Sequence, residues 1–276
     1  MSMKNKFRLL YIFFGITILF TACRPKEYEL GALLDKSSLK FTIAPSSSNP
    51  NDIVLESLTP NLTPVWVTPY GQSLRVKDTI NIPFPGTYKF VYGVESAGGF
   101  VQADTATVII TTLDQNAVST PIWVNLAGGY GNSKTWVLDI DAAGKSKYFF
   151  GPVYFAGPNY SWEWDAGWAS WIMPAADYGT MTFDLIGDAN FSSNNLTLPL
   201  GSATGKFMMY PNSSELATFG AQFIHDSNQG GRVVNWEAKA LIKSLDANSM
   251  QIIEVADGGT LWLIFNYISL DYYNSH

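Results

Sequence analysis

From residue 38 onward the chain is cut into short runs of apolar, β-branched and aromatic residues. Many alternate with polar residues at every second position, and Gly, Pro, Asn, Asp and Ser separate them. No helix-period segment is longer than two turns. A period of two sends successive side chains to opposite faces of a pleated strand, so the pattern predicts an all-β fold, sandwich or barrel. A length of 276 residues is enough for one or two domains with a sizeable core. At 14% charged and 14% aromatic residues, the chain is unlike a disordered one, which is poor in aromatics and rich in charge.

The first block of runs, at 39–43, 52–56, 65–68, 79–82, 86–95 and 103–111, falls within residues 38–112. About seven short strands in such a span match an immunoglobulin-like sandwich. The run Pro85-Gly86-Thr87-Tyr88-Lys89-Phe90-Val91-Tyr92-Gly93-Val94, then Gly98-Gly99 and residues 105–111, resembles the C-terminal half of a PKD or related Ig-like module. That family's Trp-x-Phe-Gly-Asp-Gly motif is not intact. Trp66-Val67-Thr68-Pro69-Tyr70-Gly71 stands near its place, without the Asp.

Residues 113–124 read as a polar linker, and the texture changes after them. Candidate strands at 134–141, 148–150, 180–186, 192–198, 206–210, 216–219, 233–242, 249–255 and 261–268 suit a jelly-roll β-sandwich over residues 125–276, as in lectins and carbohydrate-binding modules.

Two counts exclude whole classes of function. One Cys rules out a disulfide scaffold and a Cys-rich zinc site, and only His225 and His276 remain for a His-rich metal centre. A net charge of −6 supplies no basic field for phosphate backbones, so no nucleic-acid partner is expected. The single Cys is informative by position. Lys4, Lys6 and Arg8 precede an uncharged apolar run at 9–20, too short for a bilayer that needs about 20 residues. Leu19-Phe20-Thr21-Ala22-Cys23 follows and resembles a bacterial lipobox. Residues 1–22 are therefore expected to be a lipoprotein signal peptide, Cys23 the lipidation site, and 23–37 a tether. Loss of the three cations would take the charge from −6 to −9.

Four of the nine Trp lie in Tyr160-Ser161-Trp162-Glu163-Trp164-Asp165-Ala166-Gly167-Trp168-Ala169-Ser170-Trp171. On a strand, Trp162 and Trp164 share one face and Glu163 and Asp165 the other. A turn at Ala166-Gly167 would then present Trp168 and Trp171 from a loop. Flat aromatic rings bury the apolar C–H faces of sugars while carboxylates accept their hydroxyl protons, which makes Tyr160, Trp162, Glu163, Trp164, Asp165, Trp168 and Trp171 candidates for glycan binding. The same spacing also fits Trp side chains filling the sandwich core, or a patch for a partner protein.

Catalytic readings fail on missing groups. Laminarinase- and lichenase-type hydrolases carry Glu-x-Asp-x-x-Glu, or one residue less, on a jelly-roll strand. Glu163-Trp164-Asp165 supplies the first two acids, but Gly167 and Trp168 stand where the acid/base should be. No catalytic residue is assigned and the chain is expected not to be an enzyme. His225-Asp226-Ser227 cannot form a triad directly, because consecutive side chains diverge. Asp139-Ile140-Asp141 could share a strand face and hold a structural calcium, or simply be solvated. No other cofactor is indicated.

From Lys134 onward the order of signals is similar to a family of Bacteroidetes outer-membrane lipoproteins of glycan-utilisation systems. The residues that carry it are Lys134-Thr135-Trp136-Val137-Leu138-Asp139, Gly151-Pro152, the Trp cluster, Tyr178-Gly179-Thr180-Met181-Thr182-Phe183-Asp184-Leu185, His225-Asp226, Val234-Asn235-Trp236, Ile242-Lys243-Ser244-Leu245, Met250-Gln251-Ile252 and Phe265-Asn266-Tyr267-Ile268-Ser269. The resemblance implies an anchored, cell-surface, non-catalytic polysaccharide-binding protein that helps a neighbouring outer-membrane transporter capture glycan. Its rivals are a structural or assembly lipoprotein that binds another outer-membrane protein, and a glycoside hydrolase with an unrecognised acid pair.

Overall fold

A computed structural model describes residues 30–210 and 213–276. The expected signal peptide, Cys23 and the first part of the tether lie outside the described residues. The chain is all-β, as the alternation predicts, and its strands form two blocks, one around a buried cluster at Trp66 and the other around a cluster at Trp136 that Phe84 of the first block also joins.

The first domain holds β1 (Phe41–Pro45), β2 (Asp52–Ser57), β3 (Thr63–Thr68), β4 (Gly71–Ser73), β5 (Lys77–Asn81), β6 (Gly86–Ser96), β7 (Gly99–Gln102) and β8 (Ala106–Ile110). Strands β1-β2-β5 form one antiparallel sheet and β4-β3-β6-β7 the other, with β8 completing the edge beside β6. That order is an immunoglobulin-like sandwich. In β2 and β3 every second residue is buried, and Ile53, Leu55 and Trp66 meet Phe90, Tyr92 and Val94 between the sheets. The Trp66 ring packs 4.5 Å from that of Tyr92, and its Nε1 donates to the Arg75 carbonyl at 2.9 Å. The buried Tyr92 hydroxyl is satisfied by Ser57 at 2.6 Å and Thr59 at 2.9 Å.

The second domain holds β9 (Ser133–Leu138), β10 (Val153–Ala156), β11 (Glu163–Trp164), β12 (Gly179–Asp184), β13 (Asn190–Asn195), β14 (Ser202–Tyr210), β15 (Glu215–Phe219), β16 (Ala240–Leu245), β17 (Ser249–Ala256) and β18 (Leu261–Ser269). Helices α1 (Pro121–Ala127) and α2 (Leu270–Ser275) flank them. Strands β9, β12 and β13 to β18 pair in that order, and β18 pairs back onto β9. The result is a closed eight-stranded barrel in which each wall strand neighbours the next one in sequence. A jelly roll would instead cross between two sheets in Greek keys. Alternation assigns a strand its two faces but not its neighbours, and here short connections favour local pairing. Trp136, Met181, Phe183, Phe207, Phe265 and Tyr267 fill the interior.

The stretch expected to be a free polar linker is packed. Asp114 accepts from Asn49 and Asn81 at 2.8 and 2.9 Å, and Val118 is buried. Pro121 begins α1, whose Trp123, Leu126 and Ala127 are buried, and Gly128 ends it at φ +82°. Trp123 lies between Phe84 of the first domain and Phe207 of the barrel, at 5.4 and 5.8 Å. The helix therefore plugs the barrel end that faces the Ig-like domain.

Candidate functional site

The Trp cluster sits on the hairpin β10–β11 and the segment after it, and a buried carboxylate creates the room for it. β9 stops pairing with β18 at Leu138, and Asp139 then accepts three backbone N–H groups, from Lys147, Tyr148 and Phe149, at 2.7, 3.1 and 2.6 Å. Burial pushes the Asp139 pKa up, while those N–H groups oppose the shift. β10 then takes the place of β9 beside Trp262–Phe265 of β18. Among the described residues β11 pairs only with β10 and so stands at the edge of the sheet. β18 runs from Leu261 at the hairpin to Ser269 at the α1 end, so the hairpin lies at the barrel end away from the Ig-like domain.

The turn of the hairpin is unusual. Asn159 and Tyr160 adopt φ values of +53° and +56°, a region that side-chain-bearing residues seldom occupy. A Cβ on Gly157 would come within 2.5 Å of the Trp162 indole nitrogen, so the glycine lets that ring lie against the backbone.

None of the four Trp is in a core. Trp162, Trp164, Trp168 and Trp171 are 48%, 47%, 36% and 63% exposed, and Tyr160 is 43% exposed. Only Glu163 and Trp164 are in strand conformation, so the expected face shared by Trp162 and Trp164 does not form. Trp164 instead stacks with Phe155 across the hairpin at 5.3 Å and with Trp171 at 5.8 Å, the planes inclined by 22° and 13°. Exposure rises along this ladder from buried Phe155 to Trp171, so Trp171 is its open end. Trp168 is pinned: its Nε1 donates to the Met173 carbonyl at 3.1 Å, and its ring lies over Gly144. On the other side of β11, Glu163 forms an ion pair with Lys243 of β16. Lys243 Nζ stands 5.4 Å from the Tyr160 ring centre, and Trp262 meets that ring edge-on at 5.2 Å. Asp165 is exposed.

Trp262, Lys243 and the highly exposed Phe150, which lies over Gly167, complete the patch, with buried Phe155 stacked beneath Trp164. Sequence reasoning missed all four: Lys243 and Trp262 come from strands far along the chain, while Phe150 and Phe155 lie just ahead of the cluster. The one available signal was the alternation of 261–268, which turns Trp262 outward between buried Leu261 and Leu263.

The other candidates are structural. Asp139 and Asp141 do not share a strand face. β9 ends before them, and Asp141 accepts turn N–H groups from Ala143 and Lys145 at 2.8 Å each, so the pair forms no calcium cage. His225 stacks on Trp236 at 3.9 Å, its Nδ1 sits 2.9 Å from the Asp226 carbonyl, and burial lowers its pKa. Asp226 accepts from the N–H groups of Asn228, Gln229 and Gly230, which uses it to shape the loop. Two cavities, of about 410 and 200 Å³, lie at the joint of the domains around Tyr70, Trp123 and Met209. No hairpin residue lines them.

Fold and site together define a two-domain β-protein with an exposed aromatic hairpin at one end. Compared with known proteins, the chain matches no protein-family model and no curated protein.

Proposed function

We propose that the protein is a lipid-anchored, non-catalytic polysaccharide-binding protein of the outer membrane, which captures glycan at the cell surface for a neighbouring transporter. The observation that carries this reading is five aromatic side chains, each at least 36% exposed, on the edge hairpin and the segment that follows it, with exposed Glu163 and Asp165 between them in sequence. Apolar surface of this kind left in water is typical of a binding site. Rings next to carboxylates match sugars, which offer apolar faces ringed by hydroxyls. The hairpin's distance from the Ig-like domain fits as well. With the lipid on Cys23, ahead of that domain in the chain, the domain would act as a spacer of PKD-like type and hold the patch away from the membrane. An open patch suits segments of a long polymer, where repeated weak contacts add through multivalency.

Affinity electrophoresis of the full chain against a panel of soluble polysaccharides tests the proposal. Retardation is expected on at least one gel. Trp171→Ala should weaken it about tenfold, which corresponds to 1.4 kcal/mol. The variant should melt within about 0.5 kcal/mol of the parent, because the ring is mostly exposed. Absence of retardation on every glycan would leave the aromatic patch to a protein partner. Reducing sugar released by the parent and not by Glu163→Ala would make the protein a hydrolase.

A further inference from the structure

We infer that the glycan held at this hairpin is uncharged, and that the Glu163–Lys243 pair reads its hydroxyl groups. The inference rests on the glycan-binding reading and adds the class of ligand. Lys243 extends from β16 to the edge strand β11, where Glu163 already neutralises it. Of the other cations, Arg232 pairs with Asp257 and Lys239 with Glu215 at 3.2 Å, Lys147 Nζ donates to the Tyr273 carbonyl at 2.6 Å, and Lys145, next to the Gly144 under the Trp168 ring, is exposed. Asp165 forms no ion pair among the described residues. Lys243, Glu163 and Asp165 thus sum to one negative charge, on a chain of net charge −6.

A uronate or sulfate group approaching Tyr160 would meet the Glu163 carboxylate that already holds Lys243. To use Lys243 it would have to displace Glu163 and leave a second carboxylate uncompensated. Neutral sugars face neither obstacle. One hydroxyl can donate to a Glu163 carboxylate oxygen while its neighbour accepts from Lys243 Nζ, and both are charge-assisted bonds that leave the ion pair balanced. Tyr160 and Trp262, set at right angles beside the pair, supply apolar walls for the ring carrying those hydroxyls. The hairpin therefore recognises sugars by apolar faces and adjacent hydroxyls.

The test is affinity electrophoresis of the full chain in mild detergent at low salt. Neutral gels would contain mixed-linkage glucan, glucomannan or arabinoxylan. Anionic gels would contain polygalacturonate, alginate or chondroitin sulfate. Retardation is expected on a neutral polymer and on none of the anionic ones. Glu163→Gln and Lys243→Met should each weaken neutral binding several-fold, and melting curves would confirm that both variants fold. Asp165→Asn should leave the anionic gels without effect. Retention on an anionic polymer that disappears in high salt, or that Asp165→Asn strengthens, would overturn the inference and leave the proposed function standing. No retention on any gel would overturn both.

Discussion

Replacing Trp136 by alanine should cost the second domain about 3–5 kcal/mol, the usual range for truncating a fully buried Trp. Trp136 is 0% exposed and stands where the barrel closes. Its backbone pairs with Met181 of β12 on one side and with Ser269 of β18 on the other. Its indole Nε1 donates to the Leu126 carbonyl at 2.8 Å and so fastens α1, the plug of that barrel end. Alanine removes the interior filling and leaves the Leu126 carbonyl without its donor. At about 2–4 °C per kcal/mol for a domain of this size, melting of the barrel should fall by roughly 10 °C. The Ig-like domain, with its own core around Trp66, should keep its own transition unless the contact through Trp123 couples the two. A loss below 1 kcal/mol would show that the ring closes elsewhere.

Glu254 should have the opposite effect. It lies on β17 two residues beyond inward-facing Ile252 and is 3% exposed, and its Oε1 has no hydrogen-bond partner. Burial raises its pKa well above the ordinary 4.5. The consequence for stability follows from which state holds the proton. Above about pH 4.5 the unfolded chain releases a proton that the folded chain keeps, so rising pH favours unfolding. The loss approaches 1.4 kcal/mol per pH unit until the folded carboxyl itself titrates. Glu254→Met removes both the titration and the orphan oxygen at similar volume. The variant should be more stable than the parent by about 1–3 kcal/mol at pH 7, and the gap should close as the pH falls towards 4. Urea denaturation of both proteins from pH 4 to pH 8 measures the difference curve. Several other carboxylates have lowered pKa values, among them Asp114, Asp246 and Glu215, and they cancel in that difference. Parallel pH profiles would show that Glu254 is ionised or solvated in the folded protein.

Much of the fold could be read along the chain. Strands β12, β17 and β18 fall almost where alternation puts them, and the sandwich at residues 38–112 follows from strand number and turn residues. Other expectations failed for physical reasons. Residues 148–150 look like a strand, but Asp139 draws the N–H groups of Tyr148 and Phe149 out of any ladder. Residues 233–242 look like one strand as well, yet Val233 forms an isolated bridge and Trp236 packs beneath the loop, so β16 starts only at Ala240. In both cases a buried partner remote in sequence outweighs local propensity.

The amino-acid sequence by itself determined the all-β class, the two blocks of strands and the ten-residue aromatic cluster with its acids, because period, turn chemistry and composition are local properties. Only the tertiary structure decided that the second block closes into a meander barrel and that the linker packs. It alone turned all four Trp to solvent, ended their ladder at Trp171 and brought Lys243 to Glu163. Each of these depends on which strands become neighbours, and an edge strand such as β11 exists only once every other strand has found its pair.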